Sequence, residues 1–388
     1  MFYHLCALAL IGLVLGLAVV RRCSLYSPLV ISASTWLVVF IAGLIFQKRF
    51  YPIQEDAFIA WIIWFMVICT IFFFLNPSCV KNAWTEDKIR RIPVDYSLPL
   101  LLMIVWLGYS IWVIGSTGPE HFFLNLRMSA TNLEGFNHLG LLLRLYPLVF
   151  ALFLFEHVYA HQKNKHLRIL LWCCMLLFAV GSMSKLSILT PLLSWAIIQG
   201  MTGRIKFARI VLLVIVVFSL MISVHFMRAS VSDEHTIVDV LALYVYSPLV
   251  ALGYMDIDGS LPFGAYVLRF FYVISSYLHI RPMPAMTLSY TEVPEPTNVY
   301  TVMGLFYYDF GQLGVLLGAV FYGILFSYLY LRSVNNGRLA LVLYSGYSIV
   351  LIMQFFADVG MAFFSGNLQI LIWVFVVFLA SRKVPHAC

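Results

Sequence analysis

Residues 57–75 read AFIAWIIWFMVICTIFFFL, a stretch without a single charged side chain. An α-helix rises 1.5 Å per residue, so this stretch is long enough to cross a hydrocarbon core of about 30 Å. Similar apolar stretches recur on both sides of it and predict about eleven transmembrane helices, within a range of about eleven to thirteen. The predicted spans are 2–20, 27–46, 57–75, 98–115, 139–158, 168–183, 186–202, 209–227, 312–331, 339–356 and 367–381.

The composition of the 388 residues agrees with these spans. Hydrophobic residues make up 62% of the chain, charged residues 11%, and the mean hydropathy is +0.94. A soluble domain is about one quarter charged, so too little polar surface is present to cover a water-soluble globule. This excludes a soluble enzyme, a nucleic-acid-binding module and a secreted disulfide-linked domain. We predict an all-α polytopic membrane protein in which residues 1–388 form a single integral membrane domain.

The distribution of charge predicts the orientation of the chain. Sixteen of the 24 Lys and Arg residues lie in alternate connections, which the positive-inside rule assigns to the cytoplasm. Thirteen of the 17 acidic residues lie on the other side, which predicts the N-terminus outside and the C-terminus inside. The net charge of +7 therefore reflects topology and gives no support to a nucleic-acid partner. Eight basic residues lie at or towards the outer face: Lys48, Arg49, Arg127, Arg144, Lys185, Arg228, Arg269 and Arg281.

Two long connections, at about 116–138 and 229–311, lie on the predicted outer side. Within the second, 240–257 and 263–280 are apolar enough to be spans, but a transmembrane pair would place the acidic turn 256–259 in the cytoplasm without a basic residue. We therefore predict short interfacial or re-entrant helices in this loop. In 263–280, helical spacing predicts one polar stripe along a helix, formed by Tyr266, Arg269, Tyr272, Ser276 and His279.

Five of the outer cations are candidate ligands of a pyrophosphate: Arg127, Lys185, Arg228, Arg269 and Arg281. A cation at membrane depth is costly unless it is paired or functional, and the planar guanidinium matches a phosphate with two parallel hydrogen bonds. The alternative is that these side chains reach lipid phosphates or pair with the outer acidic residues.

Three other motifs do not predict a catalytic or metal-binding site. Residues 182–185 fit the S-x-x-K pattern of penicillin-binding enzymes, but no K-T-G follows them. Glu156, His157 and His161 do not have the H-E-x-x-H spacing of a zinc site. Asp256 and Asp258 resemble the D-x-D of nucleotide-sugar transferases, but nucleotide sugars are cytosolic and this pair is predicted to be external. The sequence therefore predicts neither a metal site nor a cofactor.

The segment Glu295-Pro-Thr-Asn-Val-Tyr-Thr301, followed by Tyr307-Tyr-Asp-Phe-Gly311 and Gly314, resembles the bacterial oligosaccharide repeat-unit polymerases, the O-antigen polymerase family. In that family a Pro-(Ser/Thr)-Asn-Val-Tyr-Thr loop leads through Asp-Phe-Gly into a late span. The resemblance implies a metal-independent glycosyltransferase of the bacterial inner membrane, with a fold like that of the C-type enzymes. Such an enzyme joins undecaprenyl-pyrophosphate-linked oligosaccharide repeats on the periplasmic face. A separate chain-length regulator is a further partner that the resemblance implies.

The recognised segment, together with the polar residues beside the outer arginines, suggests roles for individual residues. Candidates for the general base are, in order, Asp309, His279 and Glu295, although Asp309 can instead cap the N-terminus of the ninth span. Candidates for glycan binding are Asn298, Tyr300, Tyr307 and Tyr308, whose rings can stack on sugars or belong to an interfacial aromatic belt. Two alternatives stay open, a lipid-linked glycan flippase or other transporter, and an O-antigen ligase. The concentration of polar residues outside favours an enzyme, and the 295–314 segment favours the polymerase.

Overall fold

The computed structural model describes residues 1–76, 90–131, 139–159, 165–204, 236–257, 261–285, 287–335 and 337–383, together with 212, 216, 219, 220, 222–224, 226 and 227. This part of the chain is mostly helical, with very little sheet. Six of its helices are long and apolar enough to cross a membrane, as expected for a helical membrane protein. These helices are Phe2–Val20, Pro28–Arg49, Glu55–Leu75, Ser97–Thr117, Lys165–Ser182 and Gly304–Val334.

Each of these six helices overlaps a predicted span, although Gly304–Val334 begins eight residues before the predicted 312–331. The predicted spans 339–356 and 367–381 correspond to the shorter apolar helices Arg338–Ile352 and Phe364–Ala380. The predicted spans 139–158 and 186–202 contain helices of 14 and 17 residues, which are not among the six. Most of the predicted span 209–227 lies outside the described residues. The count of about eleven spans therefore stays a prediction.

In chain order the described helices are α1 (Phe2–Val20), α2 (Pro28–Phe46), α3 (Glu55–Leu75), α4 (Ser97–Thr117), α5 (Phe122–Ala130), α6 (Tyr146–Tyr159), α7 (Lys165–Ser182), α8 (Lys185–Met201), α9 (Ile237–Val245), α10 (Ser247–Gly253), α11 (Arg269–Tyr277), α12 (Gly304–Val334), α13 (Arg338–Tyr347), α14 (Ile349–Ile352) and α15 (Phe364–Ala380). Two 3-10 helices cover Gln47–Arg49 and Gly140–Leu145. Strands β1 (Arg90–Arg91) and β4 (Arg382–Lys383) pair antiparallel, as do β2 (Thr291–Glu292) and β3 (Pro296–Thr297).

The chain forms two compact units. Unit 1 contains Met1–Lys81, Thr236–Asn335 and Tyr347–Ser365, and unit 2 contains Asn82–His235, Asn336–Gly346 and Gly366–Cys388. In unit 1, α12 packs along α3, and α1 packs on α2. In unit 2, α4 packs on α7 and α5, and α6 packs on α7 and α8.

Aromatic residues dominate the core of unit 1. The ring of Trp64 on α3 lies 6.3 Å from Phe306 and 5.9 Å from Tyr322, both on α12. Trp36 and Trp61 are fully buried and lie 6.2 Å apart. Close van der Waals packing of these large rings contributes to holding α2, α3 and α12 together, because lipid supplies no hydrophobic driving force between helices.

The second long loop contains short helices, as predicted. α9, α10 and α11 have nine, seven and nine residues, each too short to cross a bilayer. The predicted continuous stripe over 263–280 is wrong, because α11 covers Arg269–Tyr277 alone. Tyr266 lies in a turn before this helix, and His279 follows its end with a left-handed φ of 56°. The helix-like spacing of polar residues in the sequence therefore continues beyond both ends of the helix itself.

Gly311 interrupts α12. Its φ of 60° and ψ of −146° lie outside the helical region, so residues 304–310 form a short helix that meets the longer one at a kink. Glycine adopts such a positive φ without a Cβ clash. A Cβ on Gly314 would collide with the backbone oxygen of Phe306, so the short helix turns back closely on the long one. The kink therefore explains the glycine of the Asp-Phe-Gly segment, and the close approach of the two parts of α12 explains Gly314.

Candidate functional site

Three consecutive residues of the 295–314 segment hold one turn of unit 1. The ring of Tyr308 meets Tyr266 edge-on at 4.9 Å, and the ring of Phe310 lies 4.8 Å from Phe263. Between them, Asp309 bonds the backbone of the same turn. We call residues 261–268 the clamped turn. It leads directly into α11, so the 295–314 segment positions the helix that begins with Arg269.

Asp309 accepts two backbone hydrogen bonds. Its Oδ2 accepts from Tyr266 N at 3.0 Å and from Val267 N at 2.7 Å, and its Oδ1 is 3.3 Å from Tyr266 N. These partners lie more than forty residues away in the chain, so the alternative that Asp309 caps its own helix is wrong. A carboxylate that holds two amides in this way is suited to positioning the clamped turn.

α11 and the residues after it carry three predicted site residues. Arg269 is half-buried, and its Nε donates to the carbonyl oxygen of Ala285 at 3.1 Å. His279 and Arg281 are exposed. The Arg269 guanidinium has five N–H donors in a planar group. Because the Nε–H donates to Ala285 O, the orientation of this plane is set, and the terminal nitrogens can face a ligand from one direction. The structure thus brings Arg269, His279 and Arg281 into one short segment.

The loop before α12 is held by its own side chains. The Tyr300 hydroxyl bonds Thr291 Oγ1 and donates to Ser289 O, both at 2.8 Å, and the side chain is 3% exposed. Stacking on a sugar requires an open ring face, so Tyr300 supports the β2–β3 hairpin rather than a glycan. Tyr308 is also buried, by its contact with Tyr266. Half-buried positions in this region, which remain accessible to a ligand, are Glu295, Asn298 and Tyr307.

In unit 2, Arg127 lies in the last turn of α5. Asn125, which is 1% exposed, fixes this helix against the end of α4. Its Nδ2 donates to Gly115 O at 2.9 Å, and its Oδ1 accepts from Glu120 N at 2.9 Å. Leu126 is fully buried in a cluster with Ile111, Ile114, Leu139, Met183 and Val224. We call it the α5 cluster.

The α5 cluster places three cations at the same end of unit 2. Arg127 follows Leu126, Arg144 follows Leu143, which packs against the cluster, and Lys185 lies two residues after Met183. Lys185 is the first residue of α8 and is half-buried. A cation at a helix N-terminus is opposed by the helix dipole, so this position favours an anion nearby.

A cavity of about 350 Å³ opens beside Arg144. Arg144 is exposed at its wall, and Ser182 and Ser187 contribute hydroxyl groups whose oxygens lie 3.1 Å apart. Most of the rest is apolar, with Leu143, Tyr146, Pro147, Phe178, Gly366 and Gln369 as further lining residues. An apolar cavity beside a guanidinium suits an amphiphile with an anionic head.

Sequence reasoning identified the cations but missed the cavity. Ser182, Ser187 and Gln369 come from separate helices, and their spacing carries no signal of a shared wall. Arg228, a predicted pyrophosphate ligand, lies outside the described residues. The predicted cations that are described divide between the units, with Arg127 and Lys185 in unit 2 and the others in unit 1. Within the described ranges, no three His, Cys, Asp or Glu side chains gather as a metal site would require.

No family model, curated protein or solved structure matches the chain. The resemblance to the repeat-unit polymerases therefore depends on residues 295–314 and on the layout of spans and loops. Within those residues, Tyr308, Asp309 and Phe310 hold the clamped turn, which leads into α11.

Proposed function

We propose that the chain is a membrane glycosyltransferase that polymerises oligosaccharide repeats carried on a polyprenyl pyrophosphate. One observation carries the proposal: the segment that resembles the polymerases clamps the turn that leads into Arg269. The sequence likeness and the cation thus belong to a single structural element. A motif that served only helix packing would not need to hold the turn before Arg269.

The proposed chemistry requires cations but no metal. Breaking the bond between sugar and pyrophosphate leaves negative charge on the leaving group, and prepositioned guanidinium groups stabilise it as it develops. Arg269 is the first candidate for this role, because its Nε is already fixed by Ala285. Arg281 is exposed in the same segment. In unit 2, the cavity beside Arg144 offers a second place for an anionic amphiphile.

The attacking sugar hydroxyl also needs a general base. Both oxygens of Asp309 lie within hydrogen-bond distance of backbone amides, so we assign this residue to positioning. His279 is exposed and Glu295 half-buried, which leaves both within reach of a substrate. We propose these two as the candidate bases.

A gel of surface lipopolysaccharide from a strain that lacks the gene tests the proposed function. We expect lipid A core that carries a single repeat, with the ladder of longer chains absent. Core without any repeat would contradict polymerisation and favour the ligase or the flippase. An unchanged ladder would exclude a role in this polymer.

Substitution of Arg269 tests the site. We expect Arg269→Ala to lower the rate of chain extension by about 100-fold or more, a typical loss for one preorganised donor. Arg269→Lys should recover little of it, because a lysine lacks the planar fork. The matched control is Lys48→Ala, which removes an exposed cation of the predicted outer face that lies outside the site. Normal polymer from Arg269→Ala, with the protein inserted at normal levels, would remove the pyrophosphate role of Arg269.

A further inference from the structure

Residues 353–363 of unit 1 form a non-helical segment between α14 and α15, in which Met353, Gln354, Asp358 and Val359 are buried. The sequence predicts helix through residue 356, so this break is a correction to the predicted span 339–356. Backbone that leaves the helix within an apolar region is tolerated where the protein itself buries it and satisfies its polar groups. We call these residues the buried segment.

Gln354 anchors the buried segment to three neighbours and is 1% exposed. Its Nε2 donates to Ser32 Oγ on α2 at 2.9 Å, and its Oε1 accepts from Trp64 Nε1 on α3 at 3.1 Å. Its backbone oxygen accepts from Val302 N at 2.8 Å, just before α12. The segment is therefore tied both to the helix core and to the loop that leads to Asp309.

Asp358 lies in the middle of this segment and is 2% exposed. Its Oδ1 accepts three hydrogen bonds, from the Tyr322 hydroxyl at 2.7 Å, Gly360 N at 2.9 Å and Met361 N at 3.0 Å. Its Oδ2 is buried and has no hydrogen-bond partner among the described residues. The two oxygens thus have opposite surroundings, one crowded with donors and one without any.

Burial of Oδ2 away from any donor or cation favours the neutral acid, whereas the three hydrogen bonds to Oδ1 favour the carboxylate, and burial is the larger effect. A neutral acid has one carbonyl-like oxygen, which accepts, and one hydroxyl oxygen, which carries the proton. An ionised carboxylate without a cation is expensive to bury. The described groups that act on Asp358 are the Tyr322 hydroxyl and the two amides, and none of them is a cation. Asp358 lies outside the helices that qualify as spans, and burial raises its pKa to about 6.

We propose that Asp358 is a proton-binding site in the core of unit 1, and that its proton occupancy governs the packing of the buried segment. Binding is a simple equilibrium in which the Oδ2 of the carboxylate takes a proton from water. When the proton leaves, the charge needs water or a moved donor at Oδ2, so the segment must rearrange. The bond between Gln354 O and Val302 N passes such a movement to the loop before α12.

Infrared difference spectroscopy of the full-length protein in lipid nanodiscs tests the proposal without any glycan substrate. We expect a carbonyl band of a protonated carboxyl group that titrates with a midpoint near pH 6. The band should be absent from Asp358→Asn, which keeps an oxygen at the position of Oδ1. The matched control is Asp256→Asn, which removes an exposed carboxyl group of the same unit and should keep the band.

A second variant keeps the test independent of how well Asp358→Asn folds. Tyr322→Phe removes a donor that stabilises the ionised form, so its midpoint should move to higher pH. A midpoint near pH 4, the ordinary value of an aspartate, would overturn the proposal. So would a band that Asp358→Asn retains, or a midpoint that Tyr322→Phe leaves unchanged.

Discussion

Asp309 belongs to a residue type that is common in catalysis, but its carboxylate positions a turn of the backbone. Its carboxylate holds Tyr266 N and Val267 N, and the clamped turn depends on both bonds. We expect Asp309→Asn, which keeps one acceptor oxygen, to retain chain extension within about tenfold. Asp309→Ala should lose far more, and its unfolding free energy should fall by about 1–3 kcal/mol, because two amides lose their acceptor.

Rates of chain extension in membranes and melting curves in detergent measure the two effects. If Asp309 were the general base, the Asn and Ala variants would lose activity equally, by roughly 100-fold to 10,000-fold. Equal loss of activity in two well-folded variants would therefore show that Asp309 acts as the general base.

Asp358 predicts a pH dependence of stability with a definite sign. Its pKa is raised in the folded protein to about 6, so the folded state holds this proton more tightly than the unfolded state does. The resulting stabilisation is complete below about pH 4 and is lost as the pH rises through about 6, by about 3 kcal/mol in all. Melting temperatures from pH 4 to pH 8 should fall more steeply for the wild type than for Asp358→Asn. Parallel curves would contradict this linkage.

At the scale of elements, the kink in α12 depends on two glycines. A Cβ on Gly314 would meet the backbone oxygen of Phe306, which cannot rotate away. We expect Gly314→Ala to lower the unfolding free energy by on the order of 2–4 kcal/mol and to release the clamped turn. The matched control is Gly12→Ala in α1, where a Cβ meets nothing within 4 Å and the change should stay within about 1 kcal/mol. Equal melting temperatures for the two variants would show that residues 304–310 do not pack as described.

Helices were predictable from sequence where length and hydropathy decide them. The run 57–75 predicts α3 within two residues, because nothing but a helix satisfies its backbone in an apolar phase. α11 was predicted too long, because periodicity cannot see that Gly264 bends the chain at a φ of 68° and that Asp309 clamps the turn there. The break at 353–363 was missed because Asp358 resembled one more acid of an outer loop. A glutamine and an aspartate four residues apart in an apolar stretch were the available signal.

At the scale of the whole molecule, the predicted orientation can be measured by labelling. The distribution of basic residues predicts His279 outside and Arg332 inside, and both side chains are exposed. A membrane-impermeant maleimide should label His279→Cys in spheroplasts and Arg332→Cys after the membrane is opened. The unsubstituted chain, which already contains seven cysteines, provides the background. Labelling of both positions in closed spheroplasts would refute the predicted topology.

The candidate site was predictable in its residue types but not in its assembly. Outer arginines indicate an anion because a cation at membrane depth is costly unless it is paired or functional. Their neighbours were not predictable, since Leu126, Leu139 and Met183 meet through tertiary packing. The same limit applies to Tyr300, whose burial depends on Thr291 and Ser289. A ring in a glycan-binding motif and a ring in a loop support look identical in sequence.

The buried segment has a consequence for biogenesis. As residues 353–363 leave the ribosome, their polar groups, Asp358 among them, oppose transfer into lipid on their own. Their partners Ser32, Trp64, Val302 and Tyr322 all come earlier in the chain. The last part of unit 1 therefore needs α2, α3 and α12 already in the bilayer as a template. We therefore expect the chain to insert in sequence order, and deletion of α12 should leave Asp358 without the hydroxyl group that Tyr322 donates.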